Sequence, residues 1–152
     1  MGKLDELLAH LAQVERLALD TVVFIYAFER HPDFGTLSQA IFGTLEEGHC
    51  QGCASTLALG KVLTGVNKAG NTELALRYRN VMTRFPGLML VDAGVEVMEQ
   101  MAKLRTRYSI ATPDAIHLAT ALTWGARAFV TNDLRLRQVR EIEVITLAEW
   151  ST

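Results

Sequence analysis

Residues Thr112 to Leu122 read TPDAIHLATAL, and the way this stretch begins orients much of the chain. Proline is tolerated in the first helical turn, where its missing N–H would have no partner anyway. Thr112 therefore reads as an N-cap and Pro113 as the first residue of a helix reaching about Trp124. The run Arg127-Ala128-Phe129-Val130-Thr131 follows and reads as a strand. A helix that leads into a strand of a parallel sheet runs antiparallel to it. The first turn of this helix, with Asp114, is thus placed on the same sheet edge as the strand's carboxyl end, where Asp133 stands.

Upstream, the same alternation of periods repeats. Leu4, Leu7, Leu8, Leu11 and Val14 mark an amphipathic helix, and Leu17-Ala18-Leu19 a short buried strand ending at Asp20. Helices are predicted over Thr21 to Glu29 and Phe34 to Glu47, then a weak strand over Gly52 to Ser55. The next helix carries Leu59, Val62, Leu63 and Val66 as its apolar stripe, with Lys61 at the stripe's edge. Another runs from Asn71 to Arg84 and stops at Phe85-Pro86-Gly87. Leu88 to Val91 reads as a strand and Ala93 to Tyr108 as a helix. Downstream come a short helix from Asp133 and a last strand at Val144-Ile145. Five strands alternating with helices predict an α/β fold with a mostly parallel sheet. Residues 1–15 are expected to form a helical extension packed on a single domain of residues 16–152.

The chain has 152 residues, about half of them apolar, enough for one domain with a real core. No apolar run approaches the roughly 20 residues of a membrane span, and the N-terminus lacks the pattern of a signal peptide, so a cytoplasmic location is expected. The formal charge of −2 gives no global sign of nucleic-acid binding. Lys103, Arg105, Arg107, Arg127, Arg135, Arg137 and Arg140 crowd the later part of the chain, either as a local basic surface or as scattered solvated charges. Cys50 and Cys53, preceded by His49, have the spacing of a zinc half-site or redox pair. No second pair completes four ligands, and two idle thiols are expected.

Ligands of parallel sheets bind outside the strand carboxyl ends. Asp20, Asp114 and Asp133 are all assigned to that edge. One aspartate in a first helical turn complements the helix dipole, but three drawn together repel unless a cation neutralises them. An oxygen-only cluster suits Mg²⁺ or Mn²⁺, ions that activate water and assist displacement at phosphorus.

Leu19-Asp20-Thr21 with Phe24-Ile25-Tyr26, TPDAIHLATAL, and Thr131-Asn132-Asp133 together resemble the motifs of the PIN domain family, particularly its VapC-type toxins, from about Leu17 to Trp150. The resemblance implies a three-layer α/β/α fold and a Mg²⁺- or Mn²⁺-dependent endoribonuclease, a phosphodiester hydrolase. Asp20, Asp114 and Asp133 would be its catalytic, metal-binding acids, with Thr21 and Thr131 supporting them. It also implies an RNA substrate, a homodimer and an antitoxin partner. His117 recurs in the family without a catalytic role and is expected to be packed or partly exposed rather than a general base.

Two positions depart from the family pattern. Lys61, in Ala58-Leu59-Gly60-Lys61-Val62, stands where the family has a glutamate that supplies a fourth acid, and Val22 stands where asparagine is common. Unit charges about 4 Å apart interact by roughly 4 kcal/mol at an effective dielectric near 20, before desolvation is counted. An ammonium at the rim of the acids would act as a counter-ion, so metal binding is expected to be weak or absent, with at most one ion held well. Alternatively the lysine stem lies along its helix and the amine points to water. Glu29 is a candidate to replace the missing acid.

The competing reading is a catalytically degenerate PIN-fold protein that binds RNA or a protein without cleaving. A phosphoacceptor receiver domain would need an acidic pair after the first strand and a lysine after the fifth, and neither is present. No Gly-x-Gly-x-x-Gly follows a strand, which excludes a dinucleotide-binding fingerprint.

Overall fold

Side chains alternate along the strand Arg16–Leu19 (β1): Leu17 and Leu19 enter one hydrophobic core and Ala18 the other. In the strand Ala128–Thr131 (β4), Ala128 and Val130 join the first core and Phe129 the second. A strand buried on both faces reads as a continuous apolar run, which is what both sequences show. The computed structural model describes residues 2–151.

The remaining elements, in chain order, are α1 (Lys3–Val14), α2 (Thr21–Phe28), α3 (Gly35–Glu46), β2 (Gln51–Ser55), α4 (Thr56–Lys68), α5 (Thr72–Arg84), β3 (Leu88–Val91), α6 (Val95–Arg107), α7 (Thr112–Trp124), a 3₁₀ turn (Leu134–Gln138), β5 (Glu143–Thr146) and α8 (Leu147–Trp150). All strand pairings are parallel, in the order β3-β2-β1-β4-β5. The chain winds outward from β1 to β2 and β3, then crosses back to β4 and β5. Because crossovers are right-handed, this reversal puts α2 to α5 on one face and α6, α7 and the 3₁₀ turn on the other; α1, which precedes β1, joins the first face through the core it shares. The result is the three-layer α/β/α arrangement, with a topological switch point between β1 and β4.

Leu7 and Leu11 of α1 are fully buried, and the helix packs on α3 and α8. Gly87 enters β3 with φ +77°, and a Cβ there would lie 2.3 Å from the carbonyl oxygen of Leu45, so this turn admits only glycine. Among the described residues, no helix is long and apolar enough to cross a membrane.

Two local expectations are corrected. Ala111, not Thr112, is the N-cap of α7: the Ala115 N–H bonds to Ala111 O at 3.0 Å, which opens the helix one residue earlier and leaves Pro113 within the first turn. The short helix α8 was not foreseen. Its four residues are held by tertiary contacts, including Ala148 N–H to Asn132 Oδ1 at 3.0 Å, and local pattern carries no trace of such a bond.

Cys50 and Cys53 are free and buried, one in each core. Burial pushes their thiols up to about 11 and about 12, so both stay protonated. His49 pairs with Glu47 at 3.2 Å.

Candidate functional site

Asp20 leaves β1 and caps α2: its Oδ1 accepts the Thr21 N–H at 2.7 Å. Its own N–H bonds to Val130 O at 2.9 Å, fixing it to the neighbouring strand. One residue beyond Val130 is Thr131, 0% exposed, whose hydroxyl donates to Asp20 Oδ2 at 2.7 Å and accepts the Asp133 N–H at 3.2 Å. A single hydroxyl thereby joins the two acids that follow the two switch-point strands. Asp114 arrives in the first turn of α7, from the opposite layer.

The three acids line one cleft of about 690 Å³, together with Thr21, Val22, Ile25, Tyr26, Lys61, Thr131, Asn132 and Leu134. The cleft lies outside the strand carboxyl ends, where the topology of an open α/β sheet puts ligand sites. The Asp114 carboxyl is raised above its ordinary value, first by burial and then by the negative charges of Asp20 and Asp133, against the opposing pull of Lys61 and Arg135. Among the described residues it has no hydrogen-bond partner.

Lys61 is exposed and lines this cleft from α4. It also lines a second groove, of about 320 Å³, between α2, α4 and α5. The residue thus borders both, and it makes no ion pair among the described residues. Glu29 lines only the second groove, so it does not take the place of the missing acid. Val22 contributes an apolar wall and no ligand atom.

His117 is 2% exposed. Its Nε2 lies 3.2 Å from Thr21 Oγ1 and 3.8 Å from Asp20 Oδ1, and its Nδ1 has no partner. A bare lone pair is tolerated in a core better than a bare N–H, so the proton belongs on Nε2, donated to Thr21. Burial lowers the imidazole's affinity for a second proton, opposed by Asp20 and reinforced by Lys61. This histidine is packed beneath the site and supports Thr21.

The sequence marks Arg135 only as one of seven later basic residues, a local basic surface or scattered charges, and does not single it out for the site. Its Nε lies 3.0 Å from Asp133 Oδ1 and its Nη2 2.7 Å from Oδ2, a two-pronged clasp that holds the Asp133 carboxyl below its ordinary range. The available signal was position: a carboxylate capping a helical turn faces the residue two further on. Of the seven basic residues noted above, Arg107 pairs with Glu141 and Arg137 with Glu149 as well. The later part of the chain therefore carries less free positive charge than its composition suggests.

The donors offered to a cation are carboxylate and hydroxyl oxygens, the hard set that Mg²⁺ and Mn²⁺ take. Among the described residues no three such side chains are drawn together closely enough to ligate one ion as they stand. The set nevertheless fits a hard divalent ion in donor type, and its three carboxylates outnumber the two cations beside them, Lys61 and Arg135.

A PIN domain model matches residues 17–142. Among solved structures, VapBC2 from Rickettsia felis bound to a DNA fragment from its promoter superposes with a TM-score of 0.71 at 18% identity, covering 86% of this chain and 98% of that one. A toxin–antitoxin complex from Klebsiella pneumoniae gives 0.67 at 23% identity, with 86% and 97% covered. FitAcB from Neisseria gonorrhoeae gives 0.66 at 18% identity, with 87% and 98% covered. No curated protein matches the chain.

Proposed function

This chain belongs to the PIN domain family, and from that premise we propose that it is a Mg²⁺- or Mn²⁺-dependent endoribonuclease of the VapC toxin type, slowed by Lys61. The observation that carries this reading is the meeting of Asp20, Asp114 and Asp133 in one cleft at the switch point, with the Asp114 carboxyl raised first by burial and then by the other two. Like charges gathered from three separate elements are costly to keep unless a cation relieves them.

Asp20, Asp114 and Asp133 would hold one ion, which supplies stabilisation of the charge that builds on phosphate oxygens and activation of water. Thr131 orients Asp20 through its hydroxyl and ties Asp133 to the same strand end. Thr21, backed by His117, fixes the other oxygen of Asp20 through its backbone N–H. Lys61 offers a positive charge to the backbone of a strand lying over the rim. The same charge competes with a second ion, so the site works with one ion where a fourth acid would support two.

The fold neighbours include VapBC and other toxin–antitoxin complexes, which supports an antitoxin protein as a partner of this chain too; a homodimer acting on RNA in the cytoplasm completes the proposal. A second reading is favoured by a specific observation: a lysine on the rim and an arginine clasping Asp133 are both substitutes for metal charge. Under it the protein binds RNA or a partner in the cleft without cutting. Incubation of the purified protein with end-labelled single-stranded RNA and Mn²⁺ separates the two. Endonucleolytic products that disappear in Asp114→Asn support the nuclease; RNA retained uncut by both proteins supports the binding protein.

A further inference from the structure

Asp133 is held in two ways that have different consequences. Its Oδ1 accepts the backbone N–H of Arg135 at 3.0 Å, the capping bond of the 3₁₀ turn. The same oxygen and Oδ2 also take the guanidinium of Arg135. The first bond fixes where the carboxylate stands. The second covers the oxygens a cation would need.

The guanidinium bond is the one that can be given up. The Arg135 side chain is 81% exposed and that of Asp133 27% exposed, so the clasp sits at the cleft mouth in water, where ion pairs are weak and screened. Releasing it needs only side-chain rotation, because the capping bond keeps the Asp133 backbone and carboxylate in register. The nearby Arg137 is engaged by Glu149, which leaves Arg135 as the arginine of this turn that faces the acids. A guanidinium fork matches two oxygens of a phosphate as well as two of a carboxylate.

We propose that Arg135 is a substrate-released latch: it closes Asp133 until a nucleic-acid strand enters, then passes its fork to a backbone phosphate and frees Asp133 for a divalent cation. This inference rests on the reading of the cleft as a divalent-cation site. It adds that metal and strand bind cooperatively, with Arg135 carrying the coupling. Reciprocity is required: whatever factor the strand adds to metal affinity, the metal adds to strand affinity.

The test is calorimetric titration of Mn²⁺ into the natural protein, Arg135→Gln and Asp114→Asn. Each is measured alone, with a short single-stranded deoxyoligonucleotide, and with its uncharged methylphosphonate analogue. Arg135→Gln alone is expected to bind Mn²⁺ about tenfold more tightly than the natural protein, the scale on which neighbours of metal ligands act. The phosphodiester strand should raise the natural protein's affinity by a similar factor, the methylphosphonate should not, and neither should help Arg135→Gln. Equal Mn²⁺ affinities in the natural protein and Arg135→Gln, both lost in Asp114→Asn, would overturn the latch and leave the cation site standing. A strand effect of equal size in both proteins would do the same. No Mn²⁺ binding by either protein would overturn the latch and the cation site together.

Discussion

Thr131 Oγ1 lies 2.7 Å from Asp20 Oδ2, and this bond links the ends of two adjacent parallel strands, its hydroxyl fully buried and its carboxylate at the floor of the cleft. The same oxygen accepts the Asp133 N–H, so one hydroxyl sets the spacing of two acids.

Replacing Thr131 with valine keeps the shape and removes the hydroxyl. Asp20 loses a donor, the Asp133 N–H loses its acceptor, and the protein should lose about 1–3 kcal/mol of stability. Thr131→Ser restores the hydroxyl and should recover most of it. Urea denaturation of the three proteins checks this, and equal midpoints for Thr131→Val and the natural protein would contradict it.

Asp114 makes the opposite contribution. Burial and two like charges raise its carboxyl in the folded state, so the folded protein holds that proton more firmly than the unfolded chain does. Its effect on stability is therefore most favourable below the ordinary value of 3.8 and is lost as pH rises through the raised folded value. Asp114→Asn should melt at a higher temperature than the natural protein at pH 7 without metal. That advantage should shrink as pH falls toward 3.8. Melting curves across this range in a chelating buffer measure it.

The strand ends and the three acids were legible in the sequence for a physical reason. Carboxyl ends of parallel strands share an edge, and Pro113 marks the start of the helix that brings Asp114 to it. Lys61 was legible as a departure through the family resemblance, which implies a glutamate at that position; helical spacing alone marks only a lysine at the edge of an apolar stripe. Its position between two grooves was not, since that depends on how α4 packs against α2 and α5. The Arg135 clasp was only half legible: the capping position of Asp133 puts residue 135 within reach, but side-chain torsions choose the clasp, and no periodicity reports them. Glu29 looked close along the chain, but the far end of α2 carries it into the other groove.

Cys50 and Cys53 should ignore iodoacetamide in the folded protein at pH 8, because burial holds both as thiols. Unfolding in guanidinium should expose two reactive groups, counted by mass spectrometry. Rapid labelling of either one in the native state would contradict the packing of the two cores around β2.

Lys61→Glu restores a fourth carboxylate at the rim and removes a positive charge from it. The account requires Mn²⁺ affinity to rise at least about tenfold, the factor that corresponds to about 1.4 kcal/mol of altered charge interaction. Lys61→Met, which removes the charge and adds no ligand, should fall between the two. Unchanged affinity in both variants would mean that Lys61 acts only as a solvated surface residue.

The central claim is that Asp20, Asp114 and Asp133 together form a site for one divalent cation. Titration of Mn²⁺ by calorimetry into the natural protein and Asp114→Asn tests it most directly. The account predicts one saturable site in the natural protein and none in Asp114→Asn, which should fold at least as stably. Heat that is the same in both proteins, or absent from both, would contradict it.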